Sequence, residues 1–216
     1  MKKVKLFLGL AVLFSVLFTS CDDAEEVVSG DDAGGETSAE LVEDTVENLY
    51  APQTTSYYPV YTTSGEFVKF SFSEGGTTTS ADEWDIAFRG TTVLVNGGTY
   101  TGIYSSEPER TGDAAMLLVT GDYTDDIVDA SDYELTQDAE GALALPSSTW
   151  YSYSEGVVTV EAGKVLVVKT HDGHYAKLQF VSYYKDLENE DGVYDNARYY
   201  TFNYTYNLVE GDTALE

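Results

Sequence analysis

Cysteine occurs once in this 216-residue chain, at Cys21, so no disulfide can close within it and the folded part has no cysteine nucleophile. Histidine occurs only as His171 and His174, and methionine only as Met1 and Met116. A serine triad would need one of these two turn histidines as its base, and neither a helical His-Glu-x-x-His zinc motif, a Gly-x-Ser-x-Gly elbow nor a Walker-type phosphate loop is present. These absences make an enzyme the least supported class, and the expectation is a non-enzymatic protein. Positive charge is also scarce: 11 Lys and Arg stand against 38 Asp and Glu, a formal net charge of -27. A field of that sign repels phosphate backbones and anionic headgroups, which argues against nucleic-acid binding and against electrostatic docking to membranes.

Long apolar runs are equally few. Leu6 to Phe18 follows Lys2, Lys3 and Lys5; it is too short to span a bilayer stably but suits the h-region of a signal peptide. The run ends in Leu17-Phe18-Thr19-Ser20-Cys21, which resembles a bacterial lipobox. The expectation is a signal peptide over residues 1–20 and a covalent lipid on Cys21, which becomes the first residue of the mature chain. Removing that segment takes away three lysines and no acid, moving the formal charge from -27 to -30. The lipid, not charge, then provides the membrane attachment.

Between Asp22 and Glu47 there are 11 acids and no cation, interrupted by Gly30, Gly34 and Gly35. So little apolar material cannot offset the entropy of ordering, and residues 21–50 are expected to form a flexible acidic tether, with a weak helical tendency over Ser38 to Tyr50. Asp22 and Asp23, directly after the lipidated position, are similar to the acidic tag that sends lipoproteins to the outer face of the outer membrane. The predicted location is the outer membrane, lipid-anchored and facing the exterior.

From Ala51 the composition turns aromatic, threonine-rich and β-branched, with 18 tyrosines in the whole chain, and residues 51–216 read as one all-β domain. Period two is clear where Tyr200, Phe202, Tyr204, Tyr206 and Leu208 alternate with Thr201, Asn203, Thr205 and Asn207, and again where Val68, Phe70 and Phe72 oppose Phe67, Lys69 and Ser71. Lys164 to Thr170 is almost continuously apolar, as for a strand covered on both faces, and leads through His171-Asp172-Gly173-His174 into Tyr175 to Tyr183. Asp-Gly between two such runs predicts a two-residue type I′ hairpin. In that geometry His171 and His174 would face each other and share a transition metal with Asp172, but two such ligands rarely fix an ion, so no metal is expected there. Asp186, Glu188, Glu190 and Asp191 before Gly192 miss the EF-hand spacing by one place and read as a solvated loop.

Several blocks in order resemble one family. Trp84-Asp-Ile-Ala-Phe-Arg89, Val93-Leu-Val-Asn-Gly-Gly98, Trp150-Tyr-Ser-Tyr-Ser154, Lys164 to Thr170, Ala176-Lys-Leu-Gln-Phe180 and Thr201-Phe-Asn-Tyr-Thr-Tyr206 resemble the HmuY-like proteins over about Glu66 to Asn207. The resemblance implies an all-β, lipid-anchored haem-binding protein of the bacterial surface that takes haem from host proteins and passes it to an outer-membrane receptor. It also implies that one axial haem ligand follows the Trp150–Ser154 block, where this chain has Glu155, and that the other comes from the preceding segment, here Ala142 to Ser148, which has no histidine or methionine. The remaining donors for haem are Met116, Tyr151, Tyr153, His171 and His174. The alternative expectation is a surface protein of the same fold that binds a glycan, a peptide or a partner protein through aromatic loops such as Gly97 to Gly112.

Overall fold

The protein is described here from a computed structural model that covers residues 40–187 and 196–216. The signal peptide, Cys21, Asp22, Asp23 and most of the expected tether lie outside the described residues, as do Glu188, Glu190, Asp191 and Gly192. Among the described residues no helix is long and apolar enough to cross a membrane.

The strands are β1 (Leu41–Tyr50), β2 (Thr54–Ser56), β3 (Thr62–Ser64), β4 (Val68–Ser71), β5 (Gly76–Thr78), β6 (Ile86–Arg89), β7 (Thr92–Val95), β8 (Ala115–Thr120), β9 (Tyr151–Ser154), β10 (Val157–Val160), β11 (Lys164–Lys169), β12 (Tyr175–Tyr184) and β13 (Ala197–Asn207). A five-stranded antiparallel sheet runs β1-β13-β12-β11-β8, a four-stranded sheet runs β5-β4-β6-β7, and β2-β3 and β9-β10 are separate two-stranded ribbons. Among the described residues helix is confined to short 3-10 turns. The all-β expectation holds.

Period two explains how the sheets meet. Phe70, Phe72, Ile86, Phe88, Val93 and Val95 from the smaller sheet pack with Leu166, Val168, Leu178, Phe180, Tyr200, Phe202, Tyr204 and Tyr206 from the larger one. Edge-on ring pairs, such as Phe70 with Phe202 at 5.3 Å between centroids, fit the preferred aromatic geometry. The opposite side of β11 is also covered: Val165 and Val167 pack with Ile127, Ala130 and Leu215. That is why this strand reads as a continuous apolar run instead of an alternating one. The cover is held by Lys177, whose buried ammonium donates to the carbonyls of Tyr123 (2.7 Å) and Ile127 (2.9 Å). The outer side of the smaller sheet carries Phe67, Trp84, Ala87 and Leu94. Asn96-Gly97-Gly98 fits between segments so closely that a Cβ on Gly97 would lie 1.8 Å from the Ala114 carbonyl oxygen.

Two expectations are corrected. Leu41–Tyr50 is neither tether nor helix but an edge strand paired with β13 from Leu41↔Asn207 to Tyr50↔Tyr199, so the tether boundary at residue 50 is too late. Leu49 is buried and Val46 joins the core, while Glu43, Asp44 and Glu47 stay exposed, a charge pattern that blocks further strands from adding to this edge. The Asp172-Gly173 turn is also not the two-residue type. The Thr170 N–H donates to the His174 carbonyl (2.8 Å) and the Gly173 N–H to the Thr170 carbonyl (3.3 Å), which leaves a three-residue loop with Gly173 at φ 94. A two-residue turn with positive φ at both positions does occur at Glu155-Gly156, between the paired Ser154 and Val157, with φ 51 and 88.

A tyrosine-lined cleft as the candidate functional site

Two ribbons and one end of the larger sheet enclose a cleft of about 420 Å³, within the range of small-molecule sites. From the β2-β3 ribbon come Gln53, Thr55, Tyr57 and Tyr61; from β9-β10 come Tyr151, Tyr153, Gly156 and Val158; from the ends of β12 and β13 come Tyr183, Tyr184, Ala197 and Arg198, with Thr91 and Ser148 completing the wall. Tyr151 and Tyr153 are two apart on one strand and therefore share a face. The first is nearly buried and the second is 62 % exposed.

The floor is rigid and the rim is exposed. The Tyr151 hydroxyl accepts from the Ser148 hydroxyl and donates to that of Thr91, both at 3.2 Å, and its ring lies 4.7 Å from that of Trp150. The Tyr184 hydroxyl accepts the Val158 N–H at 2.8 Å, which pins the ribbon to β12. Burial pushes the Tyr183 phenol well above its ordinary range, against the opposing charge and hydrogen bond of Arg198, so this ring stays a neutral phenol at the back of the cleft. On the rim, Tyr57, Tyr58, Val60 and Tyr61 are all exposed in the five-residue β2-β3 loop, with the Tyr57 and Tyr61 rings 5.7 Å apart. Among the described residues Arg198 supplies the one guanidinium of the lining.

The structure divides the sequence-derived candidates. Tyr151 and Tyr153 line the cleft. Met116 does not: it is fully buried between the sheets and acts as core. His171 and His174 precede the first residue of β12, whereas Tyr183 and Tyr184 end it, a strand of 10 residues and thus about 30 Å away. His171 Nδ1 lies 2.8 Å from Asp85 Oδ1, which also accepts the His171 N–H at 2.9 Å. The hydrogen bond to Asp85 raises the imidazole pKa, against the effect of burial. Of the places where the resemblance puts axial ligands, Glu155 immediately precedes Gly156 of the wall, and the Ala142 to Ser148 segment reaches the wall at Ser148. The Glu155 position is a turn residue with positive φ.

Tyr57, Tyr61, Tyr183, Tyr184 and Arg198 had not been singled out from sequence. The tyrosine count was a signal of the right chemistry without an address, because the lining is assembled from five separated segments. Asp85 was hidden for the same reason, since its partner His171 is 86 residues away.

The geometry defines a two-sheet β-protein with a tyrosine-lined cleft. The HmuY protein family model matches residues 61–204, most of the described domain, and the chain belongs to that family. Comparison with curated proteins gave no match. Among solved structures, a HmuY-like protein of Bacteroides vulgatus is similar at 14% identity over 76% of this chain and 90% of its own, with a TM-score of 0.39. The apo HmuY analog of Tannerella forsythia is similar at 16% identity over 78% and 96%, with a TM-score of 0.34.

Proposed function

We propose that the chain is a lipoprotein of the outer-membrane surface, anchored through Cys21, whose cleft takes a flat aromatic ligand of the tetrapyrrole class, haem included, and releases it to an outer-membrane receptor. The observation that carries this reading is the cleft lining: Tyr57, Tyr61, Tyr151, Tyr153, Tyr183 and Tyr184 with Arg198. Phenol rings offer stacking surfaces, and a guanidinium matches a propionate carboxylate. That one cation matters because the net charge of -27 opposes an acidic ligand.

Among the described residues the lining contains no histidine, methionine or cysteine. The haem-iron donors it offers would therefore be phenol oxygens, and of the two tyrosines in the β9-β10 ribbon Tyr153 is the more exposed. Binding is driven by the porphyrin face, not by two strong axial bonds. Two titrations test this: haemin and iron-free protoporphyrin, each added to the purified protein. Comparable affinity for both is expected, with no low-spin bis-ligated haem spectrum, and Tyr57→Ala combined with Tyr153→Ala weakens both by about tenfold. A sharp low-spin spectrum that vanishes in Met116→Leu or in His171→Gln with His174→Gln would overturn the site. The second reading is a glycan, favoured by the polar groups of Gln53, Thr55 and Thr91 between the rings; failure of both porphyrins to bind would select it.

A further inference from the structure

At the other end of β12, far from the cleft, four donors from two sheets converge: Asp85, just before β6, and His171, Asp172 and His174 around the β11-β12 loop. We propose that Asp85, His171, Asp172 and His174 form a binding site for a divalent transition-metal ion of the zinc type. The inference is independent of the cleft and of what the cleft binds.

Distances carry it first. His171 Nδ1 is 2.8 Å from Asp85 Oδ1 and 4.0 Å from Asp172 Oδ1, and His174 Nδ1 is 3.2 Å from Asp172 Oδ1. Donor atoms of Asp85, His171 and Asp172 lie within 4.8 Å of one another. A tetrahedral ion with bonds of about 2.0–2.1 Å sets its ligands about 3.3 Å apart, so Asp85, His171 and Asp172 stand near the spacing of three ligands, and His174 joins the group through Asp172.

Unsatisfied chemistry carries it second. His174 Nδ1 is buried, and its one polar neighbour is Asp172 Oδ1 at 3.2 Å, a contact that falls short of full hydrogen-bond geometry. An orphaned imidazole nitrogen beside carboxylate oxygens has a reason to be there if a cation lies between them. Two imidazoles and two carboxylates form a donor set that suits zinc and its neighbours. Asp85 is also oriented from behind, accepting the Phe72 N–H through its other oxygen at 2.7 Å, and Asp172 Oδ1 is fixed by the Thr170 hydroxyl at 2.6 Å. Asp172 is 39 % exposed and the imidazoles 16 % and 18 %, leaving an approach from solvent.

The competing account is a lock without metal, in which Asp85 alone holds the loop through the His171 N–H and Nδ1. It explains Asp85 and leaves His174 unexplained. The two are separated with Zn²⁺ as the probe, titrated by calorimetry into the full chain carrying Cys21→Ser so that the only thiol does not compete. One equivalent binding at about 10 μM or tighter is expected, with a raised melting temperature and, for Co²⁺, the visible bands of a four-coordinate site without thiolate. His174→Gln, which leaves the Asp85–His171 contacts in place, weakens binding at least about tenfold, and the double variant with His171→Gln abolishes it while circular dichroism stays that of the folded protein. The proposal is overturned by no one-equivalent binding at that strength, or by binding that the double variant leaves unchanged.

Discussion

Arg110 stands almost fully buried with two carboxylates around one cation: Glu107 Oε2 at 3.0 Å and Asp138 Oδ2 at 2.9 Å. Burial raises the pKa of Asp138 despite the N–H groups of Ala144 and Val95 and the guanidinium of Arg110. Glu107 goes the other way: burial opposes its ionisation, but bonds from the Thr101 hydroxyl, the N–H groups of Thr101 and Tyr104, and Arg110 together hold it below the usual glutamate range. Arg110→Ala strands both charges and should cost about 3–5 kcal/mol in urea unfolding. Because the folded pKa of Glu107 is depressed, its contribution is present above the unfolded value of 4.5 and is lost as pH falls through the folded one. Glu107→Gln should therefore flatten the loss of thermal stability between about pH 5 and about pH 3, while remaining less stable than the parent at neutral pH. None of this was legible from sequence. Glu107, Arg110 and Asp138 stand among many other acids and scattered cations, and only the fold distinguishes a buried charge from a solvated one.

The strands with period-two patterns were legible as elements; their turns were not. At His171-Asp172-Gly173 the local Asp-Gly signal was overridden by long-range and side-chain bonds: the His171 N–H is taken by Asp85, and the Thr170 hydroxyl oxygen accepts the His174 N–H at 2.8 Å. Gly173→Val still has to adopt φ 94 and should cost about 1 kcal/mol or more, read as a lower melting temperature. Glu155-Gly156 carried a weaker signal yet forms the two-residue turn. Asparagine accepts its positive φ more readily, so Glu155→Asn should stabilise the β9-β10 ribbon by about 0.5 kcal/mol, seen as a small rise in melting temperature. Strand β1 escaped the sequence reading because its acids masked the apolar positions Val46 and Leu49. What makes it a strand is its tyrosine-rich partner β13, more than a hundred residues later.

For the molecule as a whole, β1 closes the larger sheet. Without it β13 becomes an open edge whose inner face carries Tyr200, Phe202, Tyr204 and Tyr206. A chain beginning at Ala51 loses the burial of Leu49, about 1.5–3 kcal/mol, together with the charged guard of Glu43, Asp44 and Glu47. It should melt several degrees lower and elute as aggregates in size-exclusion chromatography, whereas a chain beginning at Glu40 should remain monodisperse. The predicted tether therefore extends, at most, to the residues before β1.

The two tryptophans occupy opposite sides of the smaller sheet. Trp84 lies in the outer cluster under the Lys69 ammonium, 5.6 Å from its ring. Trp150 lies in the core with Tyr151 at 4.7 Å and Tyr183 at 6.1 Å between centroids, the two rings that back the cleft. The chain thus contains its own optical reporter. A light-absorbing guest in the cleft should quench the emission of Trp150 more than that of Trp84, so Trp84→Phe leaves a signal that follows occupancy with little background, without any label.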